Sequence, residues 1–180
     1  MDAAENESDG VAGWRRLTAI AFLVQFCSMM GVSTVFAFLP LYVETLGVGS
    51  EDRAVFWAGL LMFSQAIMVA IASPIWGSMA DRYGAKLMLI RALLGCSIVY
   101  ILISYATGVV QLIPLFLFAG TFSGINTAMT NLVSGLVPRK NLGTAIGTVQ
   151  TGVFTGTAFG PLVGGWLVDA LGYQQMFAIA

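Results

Sequence analysis

The chain has 180 residues and a net charge of −1 at pH 7; 58% of its residues are hydrophobic and 9% are charged. Because soluble domains carry about 25% charged residues, this composition excludes a water-soluble globular fold and predicts an all-α integral membrane protein with lipid as its solvent. The lack of a basic excess argues against nucleic acid as a partner. The chain contains no His, so neither a metal site nor another cofactor is expected.

The first segment, residues 1–13, is acidic and polar and is predicted to be a disordered cytoplasmic tail. The apolar run that follows is too long for a cleavable signal peptide and predicts a spanning helix. Charged residues then separate further apolar runs, each with the roughly 20 residues that a helix needs to cross the bilayer. The predicted helices of this transmembrane domain, residues 14–180, are 17–42, 54–76, 87–106, 111–135, 143–168 and an incomplete sixth over 173–180.

The longest uncharged run covers residues 92–138. As one straight helix it would be about 70 Å long, more than twice the hydrocarbon thickness of a bilayer. The chain is therefore expected to fold back near residues 105–109. The sequence ends inside another apolar run, MFAIA, so we expect a fragment that lacks a carboxyl-terminal half.

Basic residues predict the orientation of the helices. If the amino terminus is cytoplasmic, all but one of the eight Lys and Arg residues lie on the cytoplasmic side, and only Arg53 lies outside. This asymmetry satisfies the positive-inside rule, in which acidic residues count for little. We expect a multi-pass protein of the cell membrane with a cytoplasmic amino terminus.

The loop between the second and third predicted helices reads GSMADRYGAK, residues 77–86. Gly77 would permit close helix contact, and Gly84 would permit a tight turn. Asp81 could meet the free N–H groups of a helix start. Arg82 and Lys86 could pair with acids on a moving neighbour.

This segment resembles the G-x-L-A-D-R-x-G-R-K loop that the major facilitator superfamily carries at the same place. Met79 replaces the Leu, and Ala85 replaces the first of two basic residues. The resemblance implies a major facilitator-type helical bundle, of which the chain holds the first five transmembrane helices and the start of the sixth. It also implies that the loop is a cytoplasmic latch between two conformations. A plain positively charged loop is the alternative.

Glycines recur in the fifth predicted helix, in GTVQTGVFTGTAFGPLVGG, residues 147–165. Four of them are spaced by four residues and share one helix face, where two backbones can approach closely, and a proline is expected to bend the helix. The spacing resembles the signature of the proton-coupled drug antiporter branch of the superfamily. It favours a gating role; a static packing seam is the alternative. The candidate gating residues are Gly147, Gly152, Gly156, Gly160, Pro161, Gly164 and Gly165.

Ionisable side chains stay near the ends of the predicted spans, and position 120 holds Gly where the resemblance implies an Arg. A charge at the bilayer centre costs about 2.5–3.5 kcal/mol, so a buried proton carrier would be conspicuous. Proton coupling is therefore implied by the resemblance alone. Neutral polar side chains within the spans face either other helices or a water-filled cavity. The candidate cavity-lining residues are Gln25, Gln65, Asn126, Asn131 and Gln150.

Together these features predict a secondary active transporter that exports drugs or other small molecules by alternating access, with protons as the coupling ion. A facilitator or importer of a small metabolite is the alternative with the same fold. An enzyme is not expected, because rhomboid-type proteolysis needs a His and aspartyl-type proteolysis needs two buried carboxylates. A purely structural scaffold would not need both the 77–86 loop and the glycine helix.

Overall fold

The computed structural model describes residues 2–179, with side chains from residue 13 onward. This part of the chain forms seven α-helices and one 3-10 turn and contains no strand. The elements are α1 (Asp2–Thr45), α2 (Glu51–Tyr83), α3 (Ala85–Ser104), α4 (Val109–Phe122), α5 (Ile125–Leu136), the 3-10 turn (Arg139–Asn141), α6 (Leu142–Leu171) and α7 (Tyr173–Ile179). The predicted all-helical membrane fold is confirmed.

Four segments are long and apolar enough to cross a membrane, judged by length and composition. They are Gly13–Thr45, Glu51–Tyr83, Ala85–Ser104 and Val109–Leu136, the last combining α4 and α5. The fifth predicted span, now α6, is 30 residues long but is not among these four. Its many Gly and Thr residues add little hydropathy, so composition alone does not identify it.

The packing of α6 against α1 supports a fifth crossing. Residue numbers of the contacting pairs increase in the same direction along both helices: Gly152 contacts Phe22, Gly156 contacts Phe26 and Gly160 contacts Met30. The two helices therefore run parallel. Helices that cross in turn alternate in direction, and the first and fifth therefore run the same way. The parallel pairing fits α6 as the fifth traverse.

Several helix boundaries differ from the predicted ones. The helix α1 begins at Asp2; the disordered tail predicted for 1–13 stays a prediction, since the side chains of residues 1–12 lie outside the described residues. The helix α2 continues to Tyr83, beyond the predicted 54–76, because a helix does not stop where its apolar run stops. The chain folds back between Ser104 and Val109, within the predicted region.

The fourth span contains a break that the sequence reading missed. Between α4 and α5 the backbone leaves helical geometry at Ser123 and Gly124, where Gly124 has a φ of 111°. Glycine adopts this left-handed region without the steric cost that a Cβ brings. The fourth span is therefore two helices with a bend between them.

Two apolar clusters hold the bundle together, one in each half of its length. One joins the carboxyl-terminal half of α1 to α2, α3, α4 and α7 around Leu39, Tyr42 and Phe116. The other joins the amino-terminal halves of α1 and α3 to α5 and α6 around Ala92 and Met129. The outer surface carries exposed Leu, Ile, Phe and Trp side chains along the helices, which suits contact with lipid.

Candidate functional site

Four glycines of α6 pack directly on α1. A Cβ at Gly152 would lie 2.9 Å from the carbonyl oxygen of Phe22, and one at Gly160 would lie 2.7 Å from that of Met30. Real Cβ atoms essentially never come within 3.0 Å of such atoms, so any larger residue would force the helices apart. Gly156 and Gly164 make equally close contacts. These four residues, Gly152, Gly156, Gly160 and Gly164, form the glycine seam.

Two glycines of the predicted gating set lie outside the seam. Gly147 is exposed, and a Cβ there would have no atom within 4 Å. A Cβ at Gly165 would make an ordinary contact, 3.7 Å from the Phe38 ring. Close approach therefore spans about three turns of α6 and involves the four glycines whose spacing predicted a shared face.

Pro161 interrupts the hydrogen bonding of α6, and α1 compensates for the loss. A residue at position 161 would normally donate its N–H to the Thr157 carbonyl, but proline has no N–H. The hydroxyl of Ser33 donates to that carbonyl instead, at 2.8 Å. The neighbouring hydroxyl of Thr34 donates to the Gly160 carbonyl at 2.7 Å. One α1 hydroxyl thus supplies the donor that α6 lacks, and a second adds a further bond beside it.

The 77–86 loop is mostly helix. The helix α2 includes Asp81 and Arg82 in its last turn, and the turn itself is Gly84, with a φ of 90°. Asp81 itself lies at a helix end, because α2 continues to Tyr83, and the nearest helix start in the chain is that of α3 at Ala85. The tight turn lies at Gly84, as predicted.

The charges of this loop point away from the described bundle. Asp81, Arg82 and Lys86 are exposed, and within residues 13–179 no ion pair joins them to another helix. The Arg82 guanidinium lies 5.5 Å from the ring of its neighbour Tyr83. Gly77 is also exposed, and a Cβ there would have no atom within 4 Å, so the expected close helix contact at Gly77 is absent from this bundle.

Gly120 marks a second point where two backbones touch. A Cβ at this position would collide with the Gln65 carbonyl of α2 and lie 2.7 Å from the Met68 side chain. The α2–α4 crossing therefore has no room for a side chain at position 120. This contact gives a packing reason for Gly where the family resemblance implied Arg.

A guanidinium does lie near this crossing, but it comes from α3. Arg91 is half-buried, and its guanidinium lies 3.6 Å from the centre of the Trp76 ring. It donates to the Thr121 carbonyl at 3.3 Å, one of the last carbonyls of α4, whose helical donor is lost at the break. The sequence analysis gave Arg91 no functional role. The feature that could have indicated one is an arginine six residues after the start of an apolar helix.

The five candidate cavity-lining amides do not share one environment. Gln65 lines a groove and Asn131 lines a smaller cavity beside Arg91. Gln25 is completely buried, with neither its amide nitrogen nor its oxygen hydrogen-bonded. Asn126 and Gln150 are half-buried. Of this set, Gln65 and Asn131 line the two cavities described here.

The groove, called here the central groove, lies between the two apolar clusters and has a volume of about 550 Å³. Its walls come from α1, α2, α3 and the α4–α5 break, and they combine Met and aromatic side chains with a few neutral polar groups. No Asp, Glu, Lys or Arg is among its lining residues. Ligand sites commonly have this size and this mixture of apolar walls with few polar groups.

These features define a class of protein: a multi-pass helical membrane protein with a mainly apolar groove inside the bundle and a close glycine contact between its first and fifth traverses. The chain belongs to the major facilitator superfamily, whose family model matches residues 21–180. No solved structure matches the chain significantly.

Curated relatives carry the same printed description. The chain is 40% identical to "Multidrug resistance protein MdtG" of a Rahnella species over 166 residues, which are 92% of this chain and 40% of the relative. It is 41% identical to the Serratia proteamaculans protein of that description, with the same coverage. The Escherichia fergusonii protein is 40% identical over 97% of this chain and 43% of its own length. The chain therefore spans about two fifths of the length of these relatives.

Proposed function

We propose that the chain forms one half of a secondary active transporter that exports drugs or other small molecules by alternating access, with protons as the coupling ion. The observation that carries this proposal is the identity of about 40% with proteins described as multidrug resistance proteins, over more than nine tenths of the chain. Because those relatives are longer, a second set of helices, the carboxyl-terminal half, would complete the transport path. Major facilitator transporters bind substrate between two such halves.

The central groove supports the export of small organic molecules. Methionine side chains such as Met29 and Met62 line it, and flexible thioethers adapt to ligands of different shape. Gln65 adds one directional polar group, and its side-chain oxygen has no hydrogen-bond partner. In this proposal the groove forms one wall of the substrate site.

In this proposal the glycine seam contributes to gating by holding α1 and α6 together as one rigid unit. Backbone contact along Gly152–Gly160, side-chain contact at Gly164 and the two hydroxyl bonds from Ser33 and Thr34 fasten α6 to α1. The pair would then move as one body against the carboxyl-terminal half. A static seam, the alternative, would also tolerate no larger residue, so only transport by a folded variant separates the two.

The 77–86 loop would be the latch between the halves. Its exposed Asp81, Arg82 and Lys86 lie at the ends of α2 and α3, where a second half could present opposite charges. The excess of Lys and Arg on this side supports a cytoplasmic location, and with it a cytoplasmic amino terminus. Charges that pair in one conformation and separate in the other would bias the equilibrium between them.

A chimaera tests the proposal. The segment of the Serratia proteamaculans relative that matches this chain is replaced by this chain, and efflux of a fluorescent dye is followed in everted vesicles energised with a proton gradient. We expect dye transport that stops when an uncoupler is added. Transport that ignores the uncoupler would favour the facilitator, and no transport by a correctly inserted chimaera would contradict the export function of this half.

A further inference from the structure

Arg91 holds its charge inside the bundle without a carboxylate. Within residues 13–179 no Asp or Glu pairs with it, and its contacts are the Trp76 ring and the Thr121 carbonyl. Its Nε atom is buried and makes no hydrogen bond. Arg91 is the seventh residue of α3, about 9 Å along the helix from its start. Charged side chains within transmembrane segments pair with one another or with backbone carbonyls; among the described residues Arg91 has such a carbonyl but no carboxylate.

A small cavity adjoins this guanidinium. It has a volume of about 90 Å³, and its lining includes Arg91, Trp76 and four neutral hydrogen-bonding residues, Ser73, Ser123, Thr127 and Asn131. That volume is several times the roughly 10–15 Å³ that one water needs on a probe-based measure, so it has room for a carboxylate or sulfonate. The first turn of α5, with its free N–H groups, borders the same cavity and adds partial positive charge.

The Arg91 cavity and the central groove meet. Val69 and Ser123 line both of them, so one molecule could extend from one into the other. On the groove side its surroundings would be apolar, with Phe36 and Met62 in the wall. The two spaces together offer an apolar chamber of about 550 Å³ that ends beside a positive charge.

We infer that the central groove and the Arg91 cavity together bind an amphipathic organic anion, with its apolar body in the groove and its acidic group beside Arg91. As a statement about cargo this inference depends on the proposed export function. A lipophilic cation would find no carboxylate in either lining and would be repelled by Arg91. A neutral molecule would fit the groove but would leave the guanidinium without its counter-charge.

Two matched fluorescent probes test this inference. Anilinonaphthalene sulfonate and N-phenylnaphthylamine share the same aromatic body, and only the first carries an anionic group. Binding of each is measured to the whole chain in nanodiscs of zwitterionic lipid, for the unmodified chain and for Arg91→Gln. Loss of a charged hydrogen-bond partner should weaken sulfonate binding at least about tenfold and should leave the neutral probe unchanged.

A second cavity variant tests whether Arg91→Gln acts only by misfolding the chain. A control variant tests whether the anionic probe is attracted nonspecifically by any positive charge. Asn131→Asp places a carboxylate in the cavity without changing the side-chain size, so it should neutralise Arg91 and weaken sulfonate binding as well. Arg139→Gln removes an exposed charge outside both spaces and should change neither probe. Equal loss in the Arg139→Gln variant, or sulfonate binding that survives in both cavity variants, would overturn the inference.

The lipid composition of the nanodisc distinguishes a membrane lipid from a soluble molecule as the source of the anion. If anionic phosphatidylglycerol in the nanodisc competes with the sulfonate in the unmodified chain, and Arg91→Gln removes the competition, the anion is a membrane lipid and the cargo assignment is wrong. If no such competition occurs, the anion is a soluble amphiphile. The binding assay does not depend on transport. If the sulfonate does not bind at Arg91, the export proposal is unaffected. If the chimaera does not transport dye, the binding result is unaffected.

Discussion

The hydrogen bond from Ser33 to the Thr157 carbonyl gives a prediction that depends on a proline elsewhere in the chain. Pro161 leaves that carbonyl without its helical donor, and the Ser33 hydroxyl replaces it at 2.8 Å. In Ser33→Ala the carbonyl has no donor, and in lipid no water can take its place. The bond lies at the outer surface of the bundle, where the surroundings are lipid; an acceptor left unsatisfied away from water costs about 1–3 kcal/mol, and hydrogen bonds measured within membranes lie at the lower end of that range. We expect Ser33→Ala to lower the free energy of unfolding by about 1–2 kcal/mol.

The same substitution should cost much less in a Pro161→Ala background. The alanine restores an N–H that can bond the Thr157 carbonyl within the helix, so the loss of the Ser33 hydroxyl should then cost under about 0.5 kcal/mol. The difference, a coupling free energy of about 1 kcal/mol, isolates the interaction. The matched control is Ser28→Ala, since Ser28 donates to Val24 within its own helix and should not couple to Pro161.

Unfolding of these variants in mixed micelles, titrated with dodecyl sulfate and followed by circular dichroism, measures these energies. The reasoning fails if Ser33→Ala costs the same with proline and with alanine at position 161. It also fails if Ser28→Ala shows an equal coupling. Either result would mean that the hydroxyl of Ser33 does not replace the donor that proline lacks.

Three further substitutions test other contacts. Gly160→Leu should prevent α1 and α6 from docking, at a cost of about 3 kcal/mol, seen as loss of the monodisperse peak in size-exclusion chromatography, whereas Gly147→Leu at its open position should leave the peak intact. Asp81→Asn in the chimaera should abolish dye efflux while membrane insertion, measured by surface labelling, stays normal; undiminished efflux would exclude the latch. Tyr42→Phe removes the bond to the Ile103 carbonyl, 2.9 Å long, and should cost about 1 kcal/mol in the same micelle titration.

Local sequence patterns predicted much of this fold. The length of apolar runs predicted the helices, since a spanning helix must satisfy its own backbone in lipid. The excess length of residues 92–138 predicted a reversal, and the chain turns between Ser104 and Val109. The break at Gly124 gave no comparable signal, because a glycine inside a helix and a glycine at a bend look alike in sequence.

The candidate site was less predictable. The four-residue glycine spacing predicted the shared face over Gly152–Gly164, and these glycines contact α1, but the spacing did not show which helix they meet. The apolar run that predicted the second helix ends near residue 76, whereas α2 continues through Asp81 to Tyr83. Arg91 was passed over, since its significance comes from Trp76, Thr121 and a cavity that belong to other helices.

The sequence by itself determined that the chain is a helical membrane protein, where its helices lie and which superfamily it belongs to. Those properties depend on run lengths and local spacing. Only the tertiary structure decided that the glycine seam packs α6 on α1 and that Arg91 lies beside an apolar groove. It also decided that the Ser33 hydroxyl donates to the α6 carbonyl that Pro161 leaves without a helical donor. In lipid an apolar face can contact either another helix or the bilayer at similar free energy. Sequence periodicity therefore predicts which residues share a helix face, but the packing of the whole bundle decides which helix contacts that face.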